Sequence, residues 1–366
     1  MSPWFVLLIA LGTLLLFAAI LFLTPLGNGV LLSLLSRPQN PKERPYQIKE
    51  VTFPGGEEDV TLAGEWTMPQ GEGPFPAALL IAGSGPHNRN EEVANHKTLL
   101  VLSDFLTRQG FAVLRYDKRG IGQSNGDYSK ATMDDFAKDA AAAMRWVKEQ
   151  AQIDATRVGY IGHSTGGYVA PLAAQIEHGT YLVLLAGPGR HLSEEILEQN
   201  ALVPRALGKS EDWIQQNVQL LEELISIYQS VENPEDVRQR AEACFAERQK
   251  ELALPTNYLE ASFETLPPAW WMWAMRHEPL PVLQAFEGPV LALYGDKDLQ
   301  VSSEKNEPVV KGVLKHPSSK VLTLEGLNHL FQPAKTGSIA EYAWCKTTFD
   351  KGAMWTIVDW LNSLEK

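Results

Sequence analysis

The sequence predicts an α/β fold. A mostly parallel central sheet is flanked by helices, carries a helical cap insertion and is preceded by an N-terminal transmembrane helix. Three observations support this. Short apolar runs of strand length alternate with amphipathic runs of helix length through most of the chain. About a hundred residues separate two of those runs, far more than an ordinary connection. Residues 1–36 hold no charged side chain, although the 366-residue chain carries 32 Lys and Arg and 44 Asp and Glu.

The first element is the apolar run over residues 4–23, with nothing more polar than Gly12 and Thr13. As a helix it spans about 30 Å, the hydrocarbon thickness of a bilayer. No Lys or Arg precedes it and Thr24-Pro25-Leu26 follows, whereas a cleaved signal wants a basic start and a small-x-small site. The run therefore reads as an uncleaved single-pass anchor. Pro25, Gly27 and Gly29 end it, and residues 30–35 form a shorter apolar run suited to the membrane interface. Arg37, Lys42 and Arg44 all follow the span, so the positive-inside bias places the next domain in the cytoplasm. Residues 37–45, with Pro38, Pro41 and Pro45, read as an extended linker.

Beyond the linker, residues 47–53 and 60–67 carry strand-type residues around Pro54-Gly55-Gly56 and predict an antiparallel pair. Residues 77–82, 111–116, 157–161 and 181–186 are short apolar runs of the kind buried in a parallel sheet, and residues 289–294 and 320–324 read as two further strands. Thr132 caps a helix with Asp134 and Asp135 in its first turn and Phe136, Ala140, Ala143 and Val147 along one face. A final amphipathic helix lies near residues 353–364. The core is thus assigned to residues 46–187 and 288–366, and the cap to 188–287. In the cap, Ile214, Val218, Leu221, Ile225 and Tyr228 keep helical spacing, and Asn233-Pro234 opens a second helix. Trp270, Trp271 and Trp273 have two readings, packing of the insert onto the sheet or an apolar wall of a substrate pocket.

The formal net charge of −12 argues against a nucleic-acid partner, which wants a basic face. Two cysteines, Cys244 and Cys345, exclude a disulfide framework and a Cys-rich zinc site. Gly120-Ile121-Gly122 with Gly126 misses the dinucleotide fingerprint by one residue, and neither H-E-x-x-H nor a Walker lysine occurs. No metal or cofactor is expected.

Gly162-His163-Ser164-Thr165-Gly166 follows an apolar strand and opens a helical run, the strand–turn–helix that exposes a nucleophilic serine. So sharp a turn leaves no room for side chains on its flanks, and Gly162, Gly166 and Gly167 meet that demand. A serine hydroxyl needs a base, and the base needs an orienting carboxylate. In the order Ser, acid, His, each at the carboxyl end of a strand, only His316 and His329 follow the next acids. His316 precedes the last strand and points to the wrong end of the sheet; His329 follows it directly. Gly295-Asp296-Lys297-Asp298 offers two acids, of which a G-x-x-D-x-x-V reading selects Asp298 and leaves Asp296 as the alternative. His163 reads as a packing residue. The oxyanion donors are expected from the backbone of Thr165 and of Ser84 in the loop Ala82-Gly83-Ser84-Gly85-Pro86, where Gly83 and Gly85 let the backbone approach substrate. His87, Asn88 and Arg89 line the mouth or hold this loop, and Asp117 reads as a turn stabiliser.

These motifs, with Tyr116-Asp117-Lys118-Arg119-Gly120 and Asn328-His329-Leu330-Phe331-Gln332, make the chain resemble bacterial α/β-hydrolases. The group includes EstD-type esterases and serine-aminopeptidase (S33-type) and dienelactone-hydrolase-like domains. The likeness spans residues 46–364 and implies a carboxylesterase acting on esters of small or medium acyl groups through an acyl-enzyme on Ser164. Peptidase, thioesterase and acyltransferase chemistry use the same triad and stay open. A membrane-tethered binding protein on a hydrolase scaffold is the non-enzymatic alternative.

Overall fold

Strand and helix alternate along the chain because a parallel sheet needs a helical crossover between neighbours. The computed structural model describes residues 37–252, 254 and 258–364. Its strands are β1 (Gln47–Pro54), β2 (Thr61–Met68), β3 (Phe75–Ile81), the short hairpin β4 (Glu92–Val93) and β5 (His96–Lys97), β6 (Ala112–Tyr116), β7 (Ile153–His163), β8 (Tyr181–Leu185), β9 (Val290–Gly295) and β10 (Lys320–Leu324). Among them run helices α1 (Thr98–Arg108), α2 (Met133–Lys148) and α3 (Gly166–Ile176), with α10 (Ser303–Val313) and α11 (Lys351–Ser363) toward the C-terminus. The predicted anchor lies outside the described residues. Among those described, no helix is long and apolar enough to cross a membrane.

Eight strands form one sheet in the order β1-β2-β6-β3-β7-β8-β9-β10. β1 pairs with β2, and β2 with β6, antiparallel; every later neighbour is parallel. Successive residues of a strand feed opposite faces. Leu79, Leu182 and Leu184 bury against α2 and α3, while Leu80, Val183 and Leu185 bury against α1 and α11. Both faces being covered, β6, β8 and β9 are buried at every position, which is why they read as unbroken apolar runs. β7 is longer than predicted because Ile153 already pairs with Phe75, and Gly162 and His163 continue the ladder to β8. Thr132 caps α2 through a reciprocal pair: its hydroxyl accepts Asp135 N–H at 3.3 Å, and Asp135 accepts Thr132 N–H at 2.9 Å.

Between β8 and β9 the described residues form six helices: α4 (Leu192–Ala206), α5 (Glu211–Ser230), α6 (Pro234–Leu252), α7 (Tyr258–Thr265), α8 (Pro268–Ala274) and α9 (Pro279–Gln284). Asn233 caps α6, its side chain accepting Glu235 N–H at 2.8 Å. For the site, one topological fact dominates. The chain leaves β3 for β6 on one side and returns past it to β7 on the other. The carboxyl ends of β3 and β7 therefore flank a switch point, where α/β sheets open a crevice.

Candidate active site

β7 ends at His163, and Ser164 takes the left-handed conformation, with φ of +53°. A non-glycine residue held there costs about 1–3 kcal/mol. The turn is fastened by Ser164 N–H donating to Leu185 O and Gly167 N–H donating to Ser164 O, each at 2.8 Å. A Cβ on Gly162 would stand 2.0 Å from Gly166 O, and one on Gly166 2.3 Å from Ile81 O. The flanking glycines are thus a steric necessity, and Ser164 is delivered into a cavity above the strand ends.

Beyond β10 the chain turns through Gly326 into Asn328-His329. Asn328 Oδ1 accepts the N–H groups of Leu330 and Gln332, both at 3.0 Å, which shapes the loop that presents the imidazole. His329 Nδ1 lies 2.7 Å from Asp298 Oδ2. The other carboxylate oxygen accepts Gln300 N–H at 2.7 Å and Val301 N–H at 3.0 Å. A carboxylate only accepts, so the hydrogen sits on Nδ1, and in the neutral ring that leaves Nε2 with the lone pair a general base needs. Asp296 is exposed instead, takes Gly326 N–H at 2.6 Å and makes no hydrogen bond to His329. Ser164 and His329 line the same cavity without a hydrogen bond between them; such contacts commonly tighten only around substrate.

The loop after β3 meets Ser164 because Ile81 pairs with Gly162 in the sheet. Ser84 Oγ donates to Thr165 Oγ1 at 3.1 Å. Neither Ser84 N–H nor Thr165 N–H donates to a main-chain carbonyl among the described residues, whereas Gly83 N–H is taken by Glu91 Oε1 at 2.6 Å. Several buried charged groups hold this loop. Lys118 Nζ donates to Gly83 O and, at 3.0 Å, to Gly85 O; burial pushes the amine down to about 8. Arg89 grips Asp117 through Nε at 3.0 Å and Nη2 at 2.8 Å, so both brace the loop. Burial lowers the His87 pKa.

His163 does more than pack. Its Nδ1 lies 2.9 Å from Glu91 Oε1 and its Nε2 2.9 Å from the carbonyl oxygen of His329. Burial alone would neutralise both groups, yet each holds the other charged: Glu91 below its ordinary value, His163 above. Sequence reasoning gave neither Glu91 nor Lys118 a role: no motif marks Glu91, and Lys118 stands in Tyr116-Asp117-Lys118-Arg119-Gly120 with nothing local to show that it grips the oxyanion loop.

The cavity measures about 560 Å³ and lies between the strand ends and the cap, a size that suits small organic ligands. Its floor includes Gly83, Ser84, Ser164, Thr165 and His329; Leu224, Tyr228, Trp270 and Trp271 are among its apolar walls. Trp271 stacks on Tyr228 at 5.4 Å, and its indole N–H has no acceptor among the described residues. Two residues expected at the substrate stand elsewhere. Trp273 stacks on His277 at 3.9 Å and meets Tyr168 edge-on, so it packs the cap onto α3. Gly85 does not line the cavity; its φ of +102° turns the loop so that its carbonyl meets Lys118. Among the described residues no three His, Cys, Asp or Glu side chains converge to hold a metal ion.

Fold and site together define an α/β-hydrolase. Over residues 56–298 the chain matches the X-Pro dipeptidyl-peptidase (S15) family, and it belongs to that family. It is 26% identical to the esterase EstD of Thermotoga maritima over 322 residues, which cover 86% of this chain and 70% of the relative. An α/β-hydrolase of Penicillium sp. sh18 shares the fold at a TM-score of 0.55 and 16% identity, over 87% of this chain and 98% of that one. So does an esterase of Pyrococcus furiosus, at 0.55 and 14% identity, over 91% and 98%. The chain is a hydrolase of this superfamily.

Proposed function

We propose that the protein is a serine carboxylesterase whose triad is Ser164, His329 and Asp298, acting on esters of small or medium acyl groups. His329, oriented by Asp298, takes the Ser164 proton as the serine oxygen attacks the ester carbonyl. The N–H groups of Ser84 and Thr165 stabilise the oxyanion. The protonated His329 gives its proton to the departing alcohol, and a water deprotonated by His329 then releases the acid from Ser164. The observation that carries this reading is the 2.7 Å His329–Asp298 contact facing the same cavity as a serine held at positive φ. The apolar cap walls support an acyl group as the recognised part, and the esterase relative supports ester over amide.

The test treats the full chain with a fluorophosphonate probe and assays p-nitrophenyl esters of graded length beside aminoacyl and X-Pro amides, with Ser164→Ala as control. Labelling that survives the substitution would refute the nucleophile. Amide turnover exceeding ester turnover would make the protein a peptidase. The uncharged run over residues 4–23 supports a membrane tether, and Arg37, Lys42 and Arg44 after it support a cytoplasmic domain, which protease accessibility in sealed vesicles checks.

A further inference from the structure

Glu91 and His163 bridge the loop bearing the oxyanion donors and the loop bearing the base, and neither belongs to the triad. Glu91 Oε1 accepts Gly83 N–H at 2.6 Å and faces His163 Nδ1 at 2.9 Å; His163 Nε2 faces His329 O at 2.9 Å. A carbonyl oxygen can only accept, so Nε2 carries a hydrogen. An ionised Glu91 can only accept, so Oε1 takes both Gly83 N–H and an Nδ1 hydrogen. The ring, 5.0 Å from that of His329, is then an imidazolium with Glu91 as its counter-ion, in keeping with the lowered Glu91 and the raised His163.

Other charged or titratable groups around the pair are Lys118 on the carbonyls of Gly83 and Gly85, His87 against the Ser84 backbone, and Asp298 behind His329. Glu91 sits at φ of +51°, rare for a glutamate, which bends the loop so that its carboxylate turns inward. A buried ion pair is a poor device for stability alone, since apolar residues of the same volume serve as well or better. Its placement suits geometry. One end holds the peptide N–H beside Ser84, and the other holds the main chain of the base.

We propose that Glu91 and His163 are positioning residues, an ion-paired clasp that sets the distance between the oxyanion donors and the His329 imidazole. This rests on the nucleophile assignment above. The experiment measures kcat and KM of the full chain on p-nitrophenyl butyrate for Glu91→Gln, His163→Gln and the double variant, beside Ser164→Ala. The expected result is a fall in kcat of about 10- to 100-fold in each single variant, with KM within about threefold. Because the two act as one unit, the double variant should be no slower than the worse single. The affinity of an aryl trifluoromethyl ketone, whose hemiketal oxyanion fills the same hole, should fall in step with kcat/KM.

Unchanged kcat, a loss confined to KM, or losses that multiply in the double variant would overturn the clasp. On the wild-type protein, nitrogen chemical shifts at pH 6 should show both His163 ring nitrogens protonated. A singly protonated ring would overturn the clasp even if the variants fail to fold. Turnover that persists in Ser164→Ala would instead refute the functional reading on which the clasp rests.

Discussion

Asp298→Asn is an isosteric change whose outcome follows from a count of hydrogen bonds. Asp298 accepts three: Gln300 N–H at 2.7 Å and Val301 N–H at 3.0 Å on Oδ1, and His329 Nδ1–H at 2.7 Å on Oδ2. An asparagine has one acceptor oxygen and must choose a side. With its NH₂ toward the two main-chain donors, it leaves two buried N–H groups unpaired, at about 1–3 kcal/mol each. With its oxygen toward them, it keeps both and points its NH₂ at His329, which needs only to move its own proton from Nδ1 to Nε2. The second arrangement wins by about 2–6 kcal/mol, a factor of at least about 30. It also leaves Nε2 protonated and unable to accept the Ser164 proton. The expected fall in kcat on p-nitrophenyl butyrate is about 10³- to 10⁴-fold, with KM nearly constant because the cavity is untouched. A properly folded Asn variant that loses less than about tenfold would refute the assignment of the acid and the tautomer argument together.

Further predictions come from the elbow, the clasp and the cap. A methyl on Gly162 meets Gly166 O at 2.0 Å, about 1 Å inside any tolerated contact, and both sides are backbone; Gly162→Ala should cost about 100-fold in kcat and lower the melting temperature. Gly312→Ala, where nothing lies within 4 Å, should instead stabilise α10 by about 0.5–1 kcal/mol in a thermal melt. The depressed Glu91 contributes stability above its unfolded value of about 4.3, lost as pH falls through its native value; the raised His163 contributes below about 6.5, lost as pH rises through its own. The melting-temperature gap between wild type and the Glu91→Gln, His163→Gln double variant should therefore be widest between about pH 4.5 and 6.5 and narrow on both sides; a flat gap would refute the ion pair. Leu224→Phe fills part of the cavity wall and should cut the octanoate-to-acetate ratio of kcat/KM by at least about tenfold, and an unchanged ratio would remove the acyl group from that wall.

The features legible in the sequence are those whose physics is local. The elbow announces itself because the glycines that relieve its crowding lie within three residues of Ser164. Buried parallel strands such as β8 and β9 announce themselves as unbroken apolar runs because helices cover both faces. Chain order puts His329 after β10 and both Asp296 and Asp298 after β9, and only the G-x-x-D-x-x-V spacing favours Asp298 of the two.

The remainder depended on contacts between distant segments. Glu91 meets His163 across 72 positions, and only the pairing of β3 with β7 brings their loops together. Trp270, Trp271 and Trp273 are alike as letters. The docking of α8 on α3 turns Trp273 toward Tyr168 and leaves Trp270 and Trp271 at the cavity. Periodicity and turn chemistry record each residue's dealings with near neighbours, and so carry the elements, their order and the residue types of a nucleophile site. Which charges face one another, and which aromatic faces the substrate, is a property of surfaces that exist only once the sheet has assembled. A buried carboxylate such as Glu91 acquires its partner, its charge and its purpose at that step.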